Sequence, residues 1–214
     1  MRKVLLSVML LSVSVALFSQ RKYEDYIISN QPTFFTKNFS NKEKDEYWYQ
    51  SAGGMLDITK LEEYWMLKNT KLRAWGIGDT VEIDATKNFQ IDVGVRFISG
   101  GDNHKQESSM LFWGRDESRG FYFYFAKDGY CSISDSKNTG RYQYIENSLT
   151  QVSYKQNEFN LFTVRRVKSN YYFFVNEKFI FTMPYEPFYG KMIGIGVGKK
   201  SIIEINNLSI HYLQ

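Results

Sequence analysis

The clearest pattern in the sequence is an alternation of apolar and polar side chains. In residues 89–97, Phe-Gln-Ile-Asp-Val-Gly-Val-Arg-Phe, every odd position is apolar and every even position is polar or glycine. Successive side chains of a strand point to opposite faces of its sheet, so this period of two predicts a half-buried β-strand. An amphipathic helix would instead need apolar residues three and four positions apart.

Apolar and aromatic runs of similar length recur along the chain and predict about a dozen strands. The other runs lie at residues 34–39, 54–58, 64–67, 110–113, 121–125, 130–134, 141–145, 159–167, 171–175, 178–183, 192–198 and 201–213. No segment has a convincing helical period. Many short strands separated by polar turns predict an all-β sandwich or barrel.

Local signals predict how some strands connect. Asp128-Gly129 separates two aromatic runs and predicts a type I′ hairpin, in which both central residues need positive φ. Asn176-Glu177 predicts a second hairpin, because Asn tolerates the left-handed conformation. The alternation slips at Asn206-Asn207, which predicts a β-bulge in the last strand.

Glycines occupy one face of the strand predicted at residues 192–198. Gly194, Gly196 and Gly198 alternate with Ile193, Ile195 and Val197. Without side chains, that face predicts that another backbone or a large aromatic ring lies close to it.

The N-terminus has the pattern of a secretory signal peptide. Arg2 and Lys3 precede an apolar run at residues 4–18 that is interrupted only by serines, and the small residue Ser19 follows. The run is shorter than the roughly 20 residues of a membrane span. The flanking charges fit export better than the alternative, a buried N-terminal helix. We expect cleavage before Gln20, no membrane-spanning segment afterwards, and a secreted, periplasmic or cell-surface protein.

The remaining chain has the length of one domain. We expect a short leader at residues 20–32 and one β-sandwich domain at residues 33–214. Removing residues 1–19 leaves 25 Lys and Arg against 23 Asp and Glu, without the clustered basic excess of a nucleic-acid-binding protein. Cys131 is the only cysteine, so no intrachain disulfide is possible, and we expect it to be a small buried hydrophobe.

A series of motifs in the second half of the chain resembles a known fold family. The motifs are Gly129-Tyr130 after an aromatic strand, then residues 160–165, 172–176, 187–190, 193–197 and 205–210. Over residues 33–213 the sequence resembles the concanavalin A-like lectin/glucanase jelly roll. It is most similar to the laminin-G-like and "domain of unknown function 1080" group of exported bacterial proteins. Glu177 replaces the turn glycine of that pattern.

The resemblance implies a two-sheet antiparallel jelly-roll sandwich whose concave face often meets a sugar. Fold alone does not carry function. Laminarinase-like members of the superfamily have Glu-x-Asp-x-x-Glu, and retaining hydrolysis needs two carboxyl groups about 5–5.5 Å apart. Here Glu82 and Asp84 are followed by Lys87 at the third position, so a solvated strand end is favoured. Asp116-Glu117 favours a loop, and no catalytic residue is assigned.

Metal and cofactor motifs are also missing from the sequence. Asp102, Asn103 and Asp135 do not follow a calcium-loop pattern, and His104 and His211 lack zinc-ligand spacing. We therefore expect neither a metal nor a cofactor.

Aromatic residues supply the remaining functional signal. Sugars are held by stacking on aromatic rings together with a few polar groups. Trp113-Gly114-Arg115 pairs an indole with the donors of a guanidinium, and the next strand presents tyrosines. The predicted ligand-binding residues are Trp113, Arg115, Tyr122, Tyr124, Trp48 and Trp65. Each of the four tryptophans, including Trp75, has the core as its alternative. The feature that discriminates the glycan-binding hypothesis is whether two or more of them are exposed together.

Three functions remain open on the sequence. The first is an exported, non-catalytic binding module with a glycan ligand. The second is a glycoside hydrolase that would use carboxylates among Glu82, Asp84, Asp116 and Glu117. The third is a structural or adhesion protein that binds another protein through a flat apolar patch.

Overall fold

A computed structural model describes residues 33–39, 55–100, 109–116, 119–137, 143–145 and 148–213. All regular elements in these ranges are strands, which form two antiparallel sheets. The expectation of an all-β two-sheet sandwich is confirmed. The proposed signal peptide and leader, at residues 1–32, lie outside the described residues. The described part contains no helix with the length and apolar character needed to cross a bilayer.

The first sheet has eight strands in the order β13-β12-β11-β5-β15-β3-β2, with β1 also paired to β15. Its strands are β1 Thr33–Asn38, β2 Asp57–Lys60, β3 Trp65–Lys68, β5 Asn88–Ser99, β11 Asn160–Val167, β12 Asn170–Val175, β13 Lys178–Pro184 and β15 Ile202–Leu213. The strand predicted from the alternation at residues 89–97 is β5, which lies between β11 and β15.

The second sheet has seven strands in the order β10-β8-β7-β6-β14-β4, with β9 also paired to β8. Its strands are β4 Trp75–Thr80, β6 Ser109–Arg115, β7 Phe121–Phe125, β8 Tyr130–Asp135, β9 Gln143–Tyr144, β10 Thr150–Gln151 and β14 Met192–Val197. The sequence analysis missed β4, an edge strand. Its Trp-Gly-Ile-Gly pattern resembles the Ile-Gly-Ile-Gly of β14, its partner, and was the available signal.

The predicted hairpins form, with one difference in turn type. Asn176 and Glu177 have φ of 50° and 66°, the two left-handed residues of a type I′ turn. At the other hairpin Gly129 has φ of 86°, whereas Asp128 is not left-handed. The Gly129 amide donates to the carbonyl of Ala126 at 3.0 Å. This is a longer turn with one left-handed glycine, because β7 ends before Ala126 and four residues, Ala126 to Gly129, connect it to β8.

The β-bulge predicted in the last strand is also confirmed. The pairing of β15 with β5 shifts register between Ile205 and Asn207. The bulge turns the Asn206 side chain towards Gly94 on β5, where a Cβ would overlap its amide oxygen. Gly94 therefore makes room for the bulge.

A core of aliphatic and aromatic side chains fills the space between the two sheets. The largest completely buried side chains include Trp65, Trp113, Tyr171 and a series of phenylalanines. The rings pack edge-to-face or stacked, as for Phe125 on Phe162 with centroids 3.8 Å apart. Cys131 is buried in this core, and burial raises its thiol pKa to about 12. It is the inert small hydrophobe that the sequence analysis expected.

A candidate binding groove beside Trp75

Two of the predicted binding tryptophans lie in the core. Trp65 and Trp113 are 0% exposed. The ring of Trp113 stacks on Phe121 with centroids 5.6 Å apart. Lys60 Nζ lies 4.5 Å from the centroid of the Trp65 ring, so a cation occupies the position a sugar would take. Inward positions on β3 and β6 place both rings between the sheets, which removes them from the binding surface. Trp48 lies outside the described residues.

The other three predicted residues come together on the outer face of the seven-stranded sheet. Tyr122 and Tyr124 stack with ring centroids 6.0 Å apart, and they are only 3% and 5% exposed. The Arg115 guanidinium carbon lies 5.3 Å from the centroid of Phe112, which packs in the same cluster. Arg115 Nε is buried without a hydrogen-bond partner in the part of the chain that the structure describes.

The glycine face of β14 lies beneath the Phe112 ring of this cluster. Gly194 pairs with Gly78 on one side and with Phe112 on the other. A Cβ on Gly194 would lie 2.5 Å from Phe112 Cζ, and one on Gly78 would lie 2.9 Å from the same atom. The glycines therefore seat the Phe112 ring flat on the sheet, and the predicted close approach of an aromatic ring is confirmed.

Two of the candidate hydrolase carboxylates lie between β4 and β5. Glu82 is exposed, and its Oε1 lies 2.8 Å from Lys191 Nζ. Asp84 accepts hydrogen bonds from the hydroxyl of Thr86 at 2.6 Å and from its amide at 3.0 Å. These bonds lower the pKa of Asp84. Glu82 and Asp84 do not lie on a strand, so the strand geometry of the laminarinase-like motif is absent here.

Asp116 is held by a different partner. Its Oδ2 accepts from Arg119 Nε at 2.9 Å and from the terminal guanidinium nitrogen at 2.7 Å. Glu117, Asp102, Asn103 and His104 lie outside the described residues. Within the described ranges no group of three or more His, Cys, Asp or Glu side chains could hold a metal ion.

One constellation was missed because it forms between strands that are distant in sequence. Ser209 on β15 pairs with Asp92 on β5, and His211 lies two residues further along β15. His211 Nε2 is 3.1 Å from Ser209 Oγ and 3.9 Å from Asp92 Oδ2. A catalytic relay needs the two ring nitrogens to contact different partners. Here one nitrogen faces both, so these residues do not form a catalytic triad.

The exposed indole is that of Trp75, the first residue of β4. It is 36% exposed, whereas the other two described tryptophans are fully buried, so the described residues do not bring two exposed tryptophans together. Beside it lies an open groove of about 520 Å³, lined by Met55, Thr70, Lys71, Leu72, Arg73 and Trp75. Met55, Leu72 and Trp75 are three of the five exposed large hydrophobic residues in the described part of the chain. Exposed apolar surface is therefore concentrated at this groove, as at many binding sites.

A buried asparagine fixes the loop that forms the groove. The Asn69 amide nitrogen donates to the carbonyls of Arg73 at 2.7 Å, Val197 at 3.0 Å and Gly198 at 2.9 Å. Its oxygen accepts from the Lys71 amide at 2.8 Å. One side chain thereby ties residues 69–74, which join β3 to β4, to the end of β14. Val197 also pairs with Trp75 across the sheet.

Basic residues occupy the loop that forms the groove and the loop bonded to it. Lys71 and Arg73 lie in the loop at residues 69–74, and Lys199 and Lys200 lie in the loop at residues 198–201. The Lys200 amide donates to the Lys71 carbonyl at 3.2 Å, which holds the two loops together. Neither loop contains an acidic residue. None of the four side chains is ion-paired with a described carboxylate.

The sequence matches no known protein family, and no curated protein is detectably similar. Solved structures do share the architecture. The Bacillus subtilis carbohydrate-binding module CBM66 superposes with a TM-score of 0.56 at 9% identity, covering 73% of this chain and 91% of the module. The chain shares the two-sheet jelly-roll sandwich fold of these structures.

Two further solved structures have the same jelly roll. The Emp47p carbohydrate recognition domain has a TM-score of 0.56 at 13% identity, covering 86% of this chain and 97% of that domain. The Crh5 transglycosylase has a TM-score of 0.58 at 12% identity, covering 83% of each chain. The same jelly roll thus carries two sugar-binding proteins and an enzyme. At these identities the likeness establishes the fold alone.

Proposed function

We propose that this chain is an exported, non-catalytic carbohydrate-binding protein whose ligand stacks on Trp75. The observation that carries the proposal is the exposed indole beside an open groove with apolar and polar walls. The C–H face of a sugar ring is apolar and its rim carries hydroxyls. An exposed aromatic ring beside hydrogen-bonding groups complements both.

Each wall of the groove has a role in this proposal. Trp75 provides the stacking surface, and Leu72 and Met55 extend it along the ligand. Thr70 and the guanidinium of Arg73 supply hydrogen bonds to hydroxyl groups. The bonds of Asn69 hold the loop in place before the ligand arrives, which lowers the entropic cost of binding.

Proteins of this fold include both sugar-binding proteins and an enzyme, so the choice between binding and catalysis depends on the carboxylates of this chain. CBM66 is a carbohydrate-binding module and the Emp47p domain is a carbohydrate recognition domain, whereas Crh5 is a transglycosylase. In this chain Glu82 is paired with Lys191 and Asp116 with Arg119, at separate loops. A glycosidase needs two facing carboxyl groups, whereas each of these two is ion-paired with a basic side chain. We therefore favour binding without catalysis.

The outer face of the seven-stranded sheet is a second proposed location. Arg115, Tyr122 and Tyr124 lie near one another on this face. The two tyrosine rings are nearly inaccessible, so a sugar would reach them only if this face opened. The Trp75 groove is already open and is the preferred site. A role for Trp48 also stays a proposal, as does membership of the laminin-G-like group.

A glycan array with matched variants tests the proposal. We expect the purified protein to bind a defined set of saccharides. Trp75→Ala should weaken that binding by about fivefold or more, because stacking of a ring on an aromatic side chain is worth about 1–3 kcal/mol in base–aromatic contacts. Leu149→Ala is the control, since Leu149 is 55% exposed and lies on the loop before β10. Tyr122→Phe and Tyr124→Phe should leave binding unchanged.

The outcomes of that array separate the alternatives. Binding that survives Trp75→Ala but is lost in Tyr124→Phe would move the site to the sheet face. Silence across the array from a folded protein would overturn the carbohydrate proposal and favour a protein partner for the apolar surface at Met55, Leu72 and Trp75.

A further inference from the structure

We propose that the Trp75 groove selects acidic saccharides, in which a carboxylate or sulfate group projects from the sugar ring. This inference rests on the proposed function and specifies its ligand class. Its basis is the set of four cations, Lys71, Arg73, Lys199 and Lys200, in two acid-free loops. Lys71 and Arg73 line the groove beside the indole.

Several other exposed basic residues have carboxylate partners within the chain, as in the pairs Lys137–Glu186 at 2.7 Å and Lys191–Glu82 at 2.8 Å. Lys71, Arg73, Lys199 and Lys200 have no such partner among the described residues. Their charge is therefore available to a ligand.

The fold keeps these like charges together at some electrostatic cost. The Lys200 amide donates to the Lys71 carbonyl, and the Asn69 amide donates to the Ser201 carbonyl at 2.9 Å. Lys200 itself has φ of 51°, a left-handed conformation that is unfavourable for an L-residue. Two backbone bonds and the Asn69 side chain thus hold cation-bearing loops side by side. A bound anion would relieve their mutual repulsion.

The residues of the groove favour a small acidic sugar over a nucleic acid as the anionic ligand. A nucleic acid would need a larger basic surface, and the chain without residues 1–19 is close to neutral, with 25 basic and 23 acidic residues. The indole adds a stacking surface for one ring, and the cations lie at its side. A uronic acid residue provides both parts, since its ring has an apolar face and its carboxylate lies at the rim.

Uronate oligosaccharides and their methyl esters provide a direct test, because esterification removes the charge and keeps the sugar. The probes are tetrasaccharides of galacturonate, glucuronate-containing hyaluronan and mannuronate, each measured beside its ester by calorimetry. We expect at least one acid to bind about tenfold more tightly than its ester, as for charged hydrogen bonds at an exposed site. Raising NaCl from about 0.05 to 0.5 M should remove most of the difference by screening.

Two variants assign the preference to the groove. Lys71→Gln combined with Arg73→Gln should lower affinity for the acid more than affinity for the ester, so that the acid-to-ester affinity ratio falls about tenfold. Lys178→Gln is the matched control, because Lys178 is an exposed lysine on β13, the edge strand at the opposite end of its sheet from β2. An acid preference that survives the double variant, or that Lys178→Gln abolishes equally, would overturn the assignment.

The remaining outcomes distinguish this inference from the function on which it rests. Equal binding of acid and ester, lost in Trp75→Ala, would overturn the acidic preference and leave the carbohydrate proposal standing. If none of the three acids binds but the array yields a neutral ligand that requires Trp75, the acidic preference is likewise overturned and the carbohydrate proposal stands. Failure of the acids together with a silent array would overturn both proposals.

Discussion

Asn69 shows how one side chain organises the candidate site. It is 1% exposed and uses its whole amide, with three donated bonds and one accepted bond. Its partners are backbone groups of two separate connections. Removing the amide would leave buried carbonyls without partners, which is costly in a protein interior.

We predict that Asn69→Ala lowers the free energy of unfolding by about 2–3 kcal/mol, because several buried hydrogen bonds are lost together. Urea denaturation measures this change. The variant should also weaken saccharide binding, since the loop at residues 69–74 would no longer be fixed. Asn170→Ala, at an asparagine with only a 3.5 Å exposed side-chain contact, is the control and should be close to neutral. Equal effects of the two substitutions would contradict the role of Asn69.

Trp75 and Trp113 show what sequence alone can and cannot predict for a residue. Both are tryptophans next to a glycine in an aromatic-rich chain. Trp113 lies inside β6 in the middle of its sheet, whereas Trp75 begins β4 at the edge. Their exposure depends on the order of strands in the sheet, which is set by pairing between distant parts of the chain. Residue type alone therefore could not distinguish an exposed binding residue from a core residue.

At the scale of elements, local signals predicted much of the connectivity. The hairpin at Asn176-Glu177 and the bulge near Asn206 follow from two-residue patterns that act within the chain. The face that each aromatic strand presents to the core was harder to predict. In β7 all five residues are buried, so alternation carries no contrast between inner and outer faces. The cluster of Tyr122, Tyr124 and Phe112 on the outer face could be recognised only in the structure, where Gly78 and Gly194 leave room for the Phe112 ring.

The type I′ hairpin yields a prediction about stability. Glu177 has φ of 66°, which is strained for an L-residue, whereas glycine adopts it freely. We expect Glu177→Gly to raise the free energy of unfolding by about 0.5–1 kcal/mol, after allowance for the greater entropy of glycine in the unfolded chain. Thermal unfolding of wild type, Glu177→Gly and Glu177→Ala decides this. Glu177→Ala keeps the strain, so a gain of equal size there would contradict the explanation.

At the scale of the whole molecule, the jelly roll places an open groove at one sheet edge. β4 ends the seven-stranded sheet, and the connections before β4 and after β14 meet beside it. The fold class followed from strand number and turn chemistry in the sequence. The position of the groove did not, because it needs the pairing of β4 with β14 and the contact between residues 69–74 and 198–201.

Export is the second property of the whole chain that can be tested. We predict that the protein is recovered outside the cytoplasm with Gln20 as its N-terminal residue, because residues 1–19 have the three-part pattern of a signal peptide. N-terminal sequencing of protein expressed from the full-length gene measures this. Replacing Leu10 and Leu11 by Arg should block processing, and an intact Met1 in unaltered protein would contradict the prediction.

The most direct test of the central claim is the indole N–H region of a ¹H–¹⁵N NMR spectrum during saccharide titration. The four tryptophans give separate signals, which Trp→Phe variants assign. We predict that the Trp75 signal shifts on saturation while those of Trp65 and Trp113 stay in place, because a sugar stacks on the exposed ring. A saccharide that binds but leaves the Trp75 signal unmoved would show that the groove is not the binding site.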